Sequence, residues 1–122
     1  MSLMPIRLLA AGTNATDDSY ARIPGESTQD YKLVQAEVTD WGGVAADATD
    51  YIDVIVKKNT TTLETVTTST TALVALTADT LSDVQDTIVS GGDYIHLDVN
   101  KAGTGPTYDL EVLLMLEPVN LP

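Results

Sequence analysis

Apolar and polar residues alternate with a period of two along most of this chain, the spacing of a half-buried strand and not of a helix. In "YIDVIVKK", 51 to 58, Ile52, Val54 and Val56 share one face, Asp53 and Lys57 the other, and Ile55 is an exception. In "YKLVQAEVT", 31 to 39, Val34, Ala36 and Val38 oppose Gln35, Glu37 and Thr39. Residues 94 to 100 place Ile95, Leu97 and Val99 against Tyr94, His96, Asp98 and Asn100. Residues 107 to 116 place Tyr108, Leu110, Val112, Leu114 and Leu116 on one face. Weaker signals predict a short strand through Ile6, Leu8 and Ala10 and a threonine-rich strand over 62 to 69. "TALVALT", 71 to 77, fits a strand or the start of a helix, and a helical turn can follow Thr77 or Asp79.

Turn residues punctuate these runs. Pro24-Gly25, Gly42-Gly43, "KNTTT" after the 51 to 58 strand and "AGTGP" at 102 to 106 mark breaks. Strands divided by such turns, without a sustained helical period, predict an all-β antiparallel β-sandwich or small barrel. The last two strands read as a closing hairpin, with Val99 set against Tyr108, Leu97 against Leu110 and Ile95 against Val112. A shift of one residue would turn the whole apolar set outward, so the faces are fixed more firmly than the register. Gly103 and Gly105 supply the turn, and Asp93 is expected to bond nearby backbone amides at the strand entry. Residues 1 to 30 carry more punctuation than periodicity and are expected to be an extended N-terminal arm with short strands, ahead of a sandwich over 31 to 122.

The last strand is apolar on both faces, because Leu113 and Met115 lie between Glu111 and Glu117 on the side opposite Leu110, Val112 and Leu114. Two large apolar residues there need cover from a second layer, an arm or a neighbouring subunit. Leu113 and Met115, with Ile6 and Leu8 of the arm and Trp41, are the candidate subunit or partner interface.

Composition narrows the partners. Six basic residues stand against 18 acidic ones, a formal net charge of −12. Such a chain repels a phosphate backbone and an anionic membrane, so neither nucleic acid nor membrane is expected as a partner. There is no cysteine, and 18 threonines with no phenylalanine reinforce the strand reading. No run is long and apolar enough for a membrane-spanning helix, and no signal peptide is recognised.

Candidate chemistry is sparse. His96, the only histidine, has Asp98 two residues on and Asp109 or Glu111 across the expected hairpin, but no Gly-x-Ser-x-Gly elbow supplies a nucleophile. It reads as a surface histidine flanked by acids. Asp47, Asp50 and Asp53, and Asp79, Asp83 and Asp86, have the composition of calcium sites but not the Asp-x-Asp-x-Asp-Gly loop. Trp41, with Tyr31 and Tyr51, suggests a sugar-stacking platform or, more simply, a core plug or interface anchor. No cofactor, metal ligand set or catalytic residue is assigned, and no enzymatic activity is expected.

The order "V-S-G-G-D-Y-I-H-L-D-V-x-x-A-G-T-G-P-x-Y-D-L-E-V-L-L", 89 to 114, resembles the closing strands of jelly-roll domains in tailed-phage virion proteins. "YIDVIVKKNTTTLET" resembles their central strand and turn. Trimeric jelly rolls of the tumour-necrosis-factor type share this rhythm. With no fibre shaft in the sequence, the chain is more similar to capsid decoration (cement) proteins. The resemblance implies a jelly-roll-like homotrimer on the outer surface of a virion, bound to the major capsid protein and stabilising the head. The alternative it leaves is a receptor- or carbohydrate-binding module of a tail or fibre, with a glycan bound at Trp41.

Overall fold

The computed structural model describes residues 3–24 and 28–119. The turn expected at Pro24-Gly25 runs into residues 25 to 27, which lie outside the described residues. Nine strands and no helix are present among the described residues. They are β1 (Met4–Gly12), β2 (Thr16–Arg22), β3 (Tyr31–Asp40), β4 (Tyr51–Lys58), β5 (Thr61–Thr67), β6 (Asp79–Thr80), β7 (Ile88–Val89), β8 (Tyr94–Ala102) and β9 (Tyr108–Pro118). Two antiparallel sheets pack as a sandwich. Sheet A has the order β1-β9-β3, with the short β6 and β7 both on the far side of β3. Sheet B has the order β2-β8-β4-β5.

Between the sheets the period-two pattern becomes the core. Leu8 and Ala10 of β1, Leu33, Ala36 and Val38 of β3, and Leu110, Val112, Leu114 and Leu116 of β9 line sheet A's inner face. Ile52, Val54 and Val56 of β4 and Ile95, Leu97 and Val99 of β8 line sheet B's. Each fully buried branched side chain of this kind contributes about 1.5–3 kcal/mol relative to exposure. The set is one contiguous cluster, to which Ile6, Tyr31 and Val66 are added at its margins.

Four expectations are corrected here, three of them in the strands. First, β8 and β9 do not form a hairpin. β8 pairs with β2 and β4, and β9 with β1 and β3, so the two strands face each other across the core. Their inward parity is as expected, but Val99 and Tyr108 are not ladder partners. The connection 103–107 climbs from one sheet to the other. Asp50 accepts from Thr104 N at 2.9 Å and Thr104 Oγ1 at 3.1 Å, and it holds this climb. Gly103 has φ 65°, and a Cβ there would meet Thr49 O at 2.7 Å, so both conformation and space demand glycine.

Second, within the residues 1 to 30 expected to be an extended arm, residues 4–12 and 16–22 are strands of the two sheets. β1 pairs with β9 from Met4↔Leu116 to Gly12↔Tyr108, and β2 pairs with β8 from Thr16↔Asn100 to Arg22↔Tyr94. The alternation through Ile6, Leu8 and Ala10 was the signal of a core strand, and Leu8 is 1% exposed. Third, β3 carries a bulge between Leu33 and Gln35. The extra residue lets Leu33 and Ala36 both point inward, so Leu33 is fully buried while Val34 is only partly so.

The stretch read as strand or helix over 71 to 77 is neither. A single bridge, Val44↔Leu73, ties it to the loop after β3. Residues 82 to 86 make turns, and Val84 within them and Leu81 just before them cap the core.

Candidate functional site

The sandwich leaves two open faces and one apolar end. On the outer face of sheet A the registers place Pro5, Met115 and Gln35 in one row, Arg7, Leu113 and Glu37 in the next, and Leu9, Glu111 and Thr39 in a third. Leu113 and Met115 therefore point outward, as their spacing implies, and both are half-buried. Leu9, from the strand alongside, is 54% exposed and extends their stripe. Arg7 crosses the stripe, its Nε donating to Glu111 Oε2 at 2.8 Å. The pairing is charge-assisted but lies on an exposed surface, so it orders the face more than it stabilises the fold.

Two of the expected interface residues are not on this face. Leu8 is buried, and Ile6, opposite Leu114, packs against the core, so both belong to the inner side of β1. Leu9 alternates, with Arg7, against Ile6, Leu8 and Ala10, but as an apolar residue on the outer face it was not counted with the interface. It is the outward residue of that alternation.

Trp41 is 45% exposed and follows Asp40, the buried carboxylate at the end of β3. Asp40 Oδ1 accepts from Gly42 N at 3.1 Å and Oδ2 from Asp109 N at 2.9 Å. Trp41 N donates to Asp109 O at 2.9 Å, so the loop is clamped to β9 on both sides of Asp40's carboxylate. Leu76 N donates to Asp40 O at 3.2 Å, and Gly43 lets Ala75 come so near that a Cβ would lie 3.1 Å from its nitrogen. These contacts bring the exposed Val74 and Leu76 to the same end of the sandwich as Trp41. Leu76 sits at φ 60°, a conformation that a bulky side chain enters at a cost. The sequence signal, the apolar run "TALVALT", was present but was read as an element of the fold. Tyr31 starts β3, at the end of that strand away from Trp41, and Tyr51 starts β4 in sheet B; among the described residues neither ring contacts Trp41.

The outer face of sheet B carries the polar groups. Asp18 stands opposite Asp98, Tyr20 opposite His96 and Arg22 opposite Tyr94. Lys57 stands opposite His96 from the other side. Tyr20 and His96 stack with centroids 4.2 Å apart and planes 11° apart, and Tyr20 meets Tyr94 edge-on at 5.9 Å. His96 Nε2 lies 2.6 Å from Asp18 Oδ1, and Lys57 Nζ lies 3.2 Å from Asp98 Oδ2. His96 therefore takes its acid from β2. Glu111, considered for that role across the expected hairpin, is on the other sheet with Arg7.

The two acidic trios are dispersed. Asp47 Oδ1 accepts from Thr49 N and Asp50 N, which holds its carboxyl below the usual range. Asp50 turns to Thr104, while Asp86 lies 3.5 Å from Lys32. Near the start of β8, Asp93 Oδ1 accepts from Asn59 Nδ2 at 3.0 Å and Oδ2 from Ser90 N at 2.8 Å. The Asn59 bond first, then the Ser90 amide, hold its carboxyl below the ordinary value against the opposing effect of burial, and the charge of Lys58 adds to them. That is the amide-binding role expected of it.

No protein-family model and no curated protein matches this chain.

Proposed function

We propose that the protein is a structural virion component with no enzymatic role, a capsid decoration (cement) protein. In this reading it forms a jelly-roll homotrimer that binds the major capsid protein on the outside of a tailed-phage head and stabilises it. The observation that carries the reading is the outer face of sheet A, where Leu9, Leu113 and Met115 form an apolar stripe that no layer of the described residues covers. The order β1-β9-β3-β6/β7 against β2-β8-β4-β5 supports the jelly-roll description, since the chain changes sheet at most connections. A net charge of −12 suits a protein displayed in quantity on a surface, where mutual repulsion limits aggregation. Purified protein added to undecorated heads should bind saturably at a fixed copy number and raise their thermal disruption temperature. Absence of saturable binding removes the proposal.

A second reading, a receptor- or glycan-binding module of a tail or fibre, is favoured by one observation, the exposure of Trp41 at the same end of the sandwich as the exposed Val74 and Leu76. Glycan binding that disappears in Trp41→Ala, with no binding to heads, would replace the first reading by this one.

A further inference from the structure

We propose that Asp18, His96 and Asp98 form a surface site for a divalent transition ion of the zinc class. The three offer one ligand atom each, and these atoms all lie within 4.8 Å of one another. The backbone builds the cluster. His96 and Asp98 are two residues apart on β8 and so share its outer face, and β2 brings Asp18 directly opposite Asp98.

That cross-strand pairing is an independent reason to expect a cation. Like charges directly opposite on neighbouring strands destabilise a sheet. Here they stand on β8 and on β2, an edge strand of sheet B, in a chain already carrying −12. Lys57 neutralises one side of Asp98 from β4, at 3.2 Å from Oδ2. Among the described residues no lysine or arginine pairs with Asp18, whose side-chain contact is the imidazole nitrogen.

The donor set selects the ion. Calcium and magnesium take oxygen ligands, six or more for calcium, and gain little from an imidazole. Two carboxylate oxygens and one imidazole nitrogen suit zinc and its neighbours, with a water in the open fourth position. The stacked Tyr20 ring fixes the imidazole plane, and Nε2 already points at Asp18. Metal–ligand bonds of about 2.0–2.1 Å require that contact to open by only about 0.7 Å. Asp18 is the more exposed partner, on the edge strand, and can make that adjustment. The ion would join β2 to β8 by a bond other than the ladder, at the free edge of the sheet.

Titration calorimetry with zinc chloride on the full chain, in a buffer that does not chelate, tests the site. One zinc per chain is expected, weakened at least ten-fold in His96→Ala and in Asp18→Asn. Lys57→Met, which removes the competing cation, should tighten binding several-fold; non-specific uptake on an acidic surface would not give this pattern. Amide exchange in β2 should slow with zinc in the parent and not in His96→Ala. Both weakened variants should keep the parent's circular dichroism, since the substituted side chains lie on the outer face of sheet B and neither belongs to the core. Uptake unchanged in His96→Ala, no saturable uptake, or calcium binding as tightly as zinc would each overturn the proposal. None of these outcomes bears on binding to heads, so the two proposals fail separately.

Discussion

Single side chains decide where this sandwich is held at its ends. Asp40 is a fully buried carboxylate that satisfies two backbone amides, one in its own loop and one on β9. Thr68, equally buried, accepts from Ile52 N at 3.0 Å and returns a bond to Ile52 O. Asp93 does the same work near the surface, and its lowered pKa makes the effect measurable. A carboxyl whose folded value is lowered stabilises the protein above the ordinary carboxylate range, and that contribution is lost as pH falls through the folded value. Asp93→Asn should cost about 1.5–3 kcal/mol at neutral pH, because one of its two acceptors becomes a donor facing a donor. Denaturant melts repeated at decreasing pH should show the parent and variant converging in acid. A difference that stays constant down to the acid limb would contradict the role given to the ionised carboxylate. Tyr108 is shifted the other way, upward by burial and then by Asp17. It therefore contributes stability below its ordinary value that is lost in alkali.

Among the elements, β1 carries the clearest consequence. It forms one edge of sheet A, contributes Leu8 and Ala10 to the core, and covers the edge of β9 along its length. Losing it would remove the burial of Leu8 at about 1.5–3 kcal/mol, further burial at Ile6 and Ala10, and the whole ladder. Against a total stability of about 5–15 kcal/mol for a small domain, that is a large fraction. Deleting residues 1 to 12 should abolish the cooperative thermal transition. A truncated chain that melts cooperatively near the parent's temperature would mean that β1 is a detachable arm after all.

For the whole molecule, the proposed function requires the two sides of β9 to separate folding from assembly. Val112 is fully buried between the sheets, and Leu113 is on the open face. Val112→Asp places an unpaired carboxylate in the core and should unfold the domain. Leu113→Asp should leave the β-rich circular dichroism intact but shift sedimentation from oligomer to monomer and weaken attachment to heads. An apolar patch repeated around a symmetric ring multiplies a modest burial at each copy. Sedimentation of the parent as a monomer would remove the trimer from the proposal. Equal unfolding by Leu113→Asp would show that its side chain supports the fold and not an interface.

The period-two pattern determined which residues face inward, because a strand has two sides and the apolar set must choose one. That is why Ile52, Val54, Val56, Ile95, Leu97, Val99, Leu110, Val112 and Leu114 were legible as core, and why β4 was delimited to the residue. Alternation carries no information about the neighbouring strand, since ladder bonds join backbone groups that every residue shares. The partners of β8 and β9 were therefore invisible, and nearness in sequence suggested a hairpin that the stacking of two sheets replaced. The bulge at Leu33 was hidden for a related reason, as one inserted residue looks like ordinary alternation until a partner strand is counted against it. The candidate sites divide in the same way. Leu113 and Met115 could be found from their own strand, because an apolar residue on a polar face stands out locally. Asp18 and His96 lie 78 residues apart, and only the pairing of β2 with β8 places a carboxylate 2.6 Å from the imidazole.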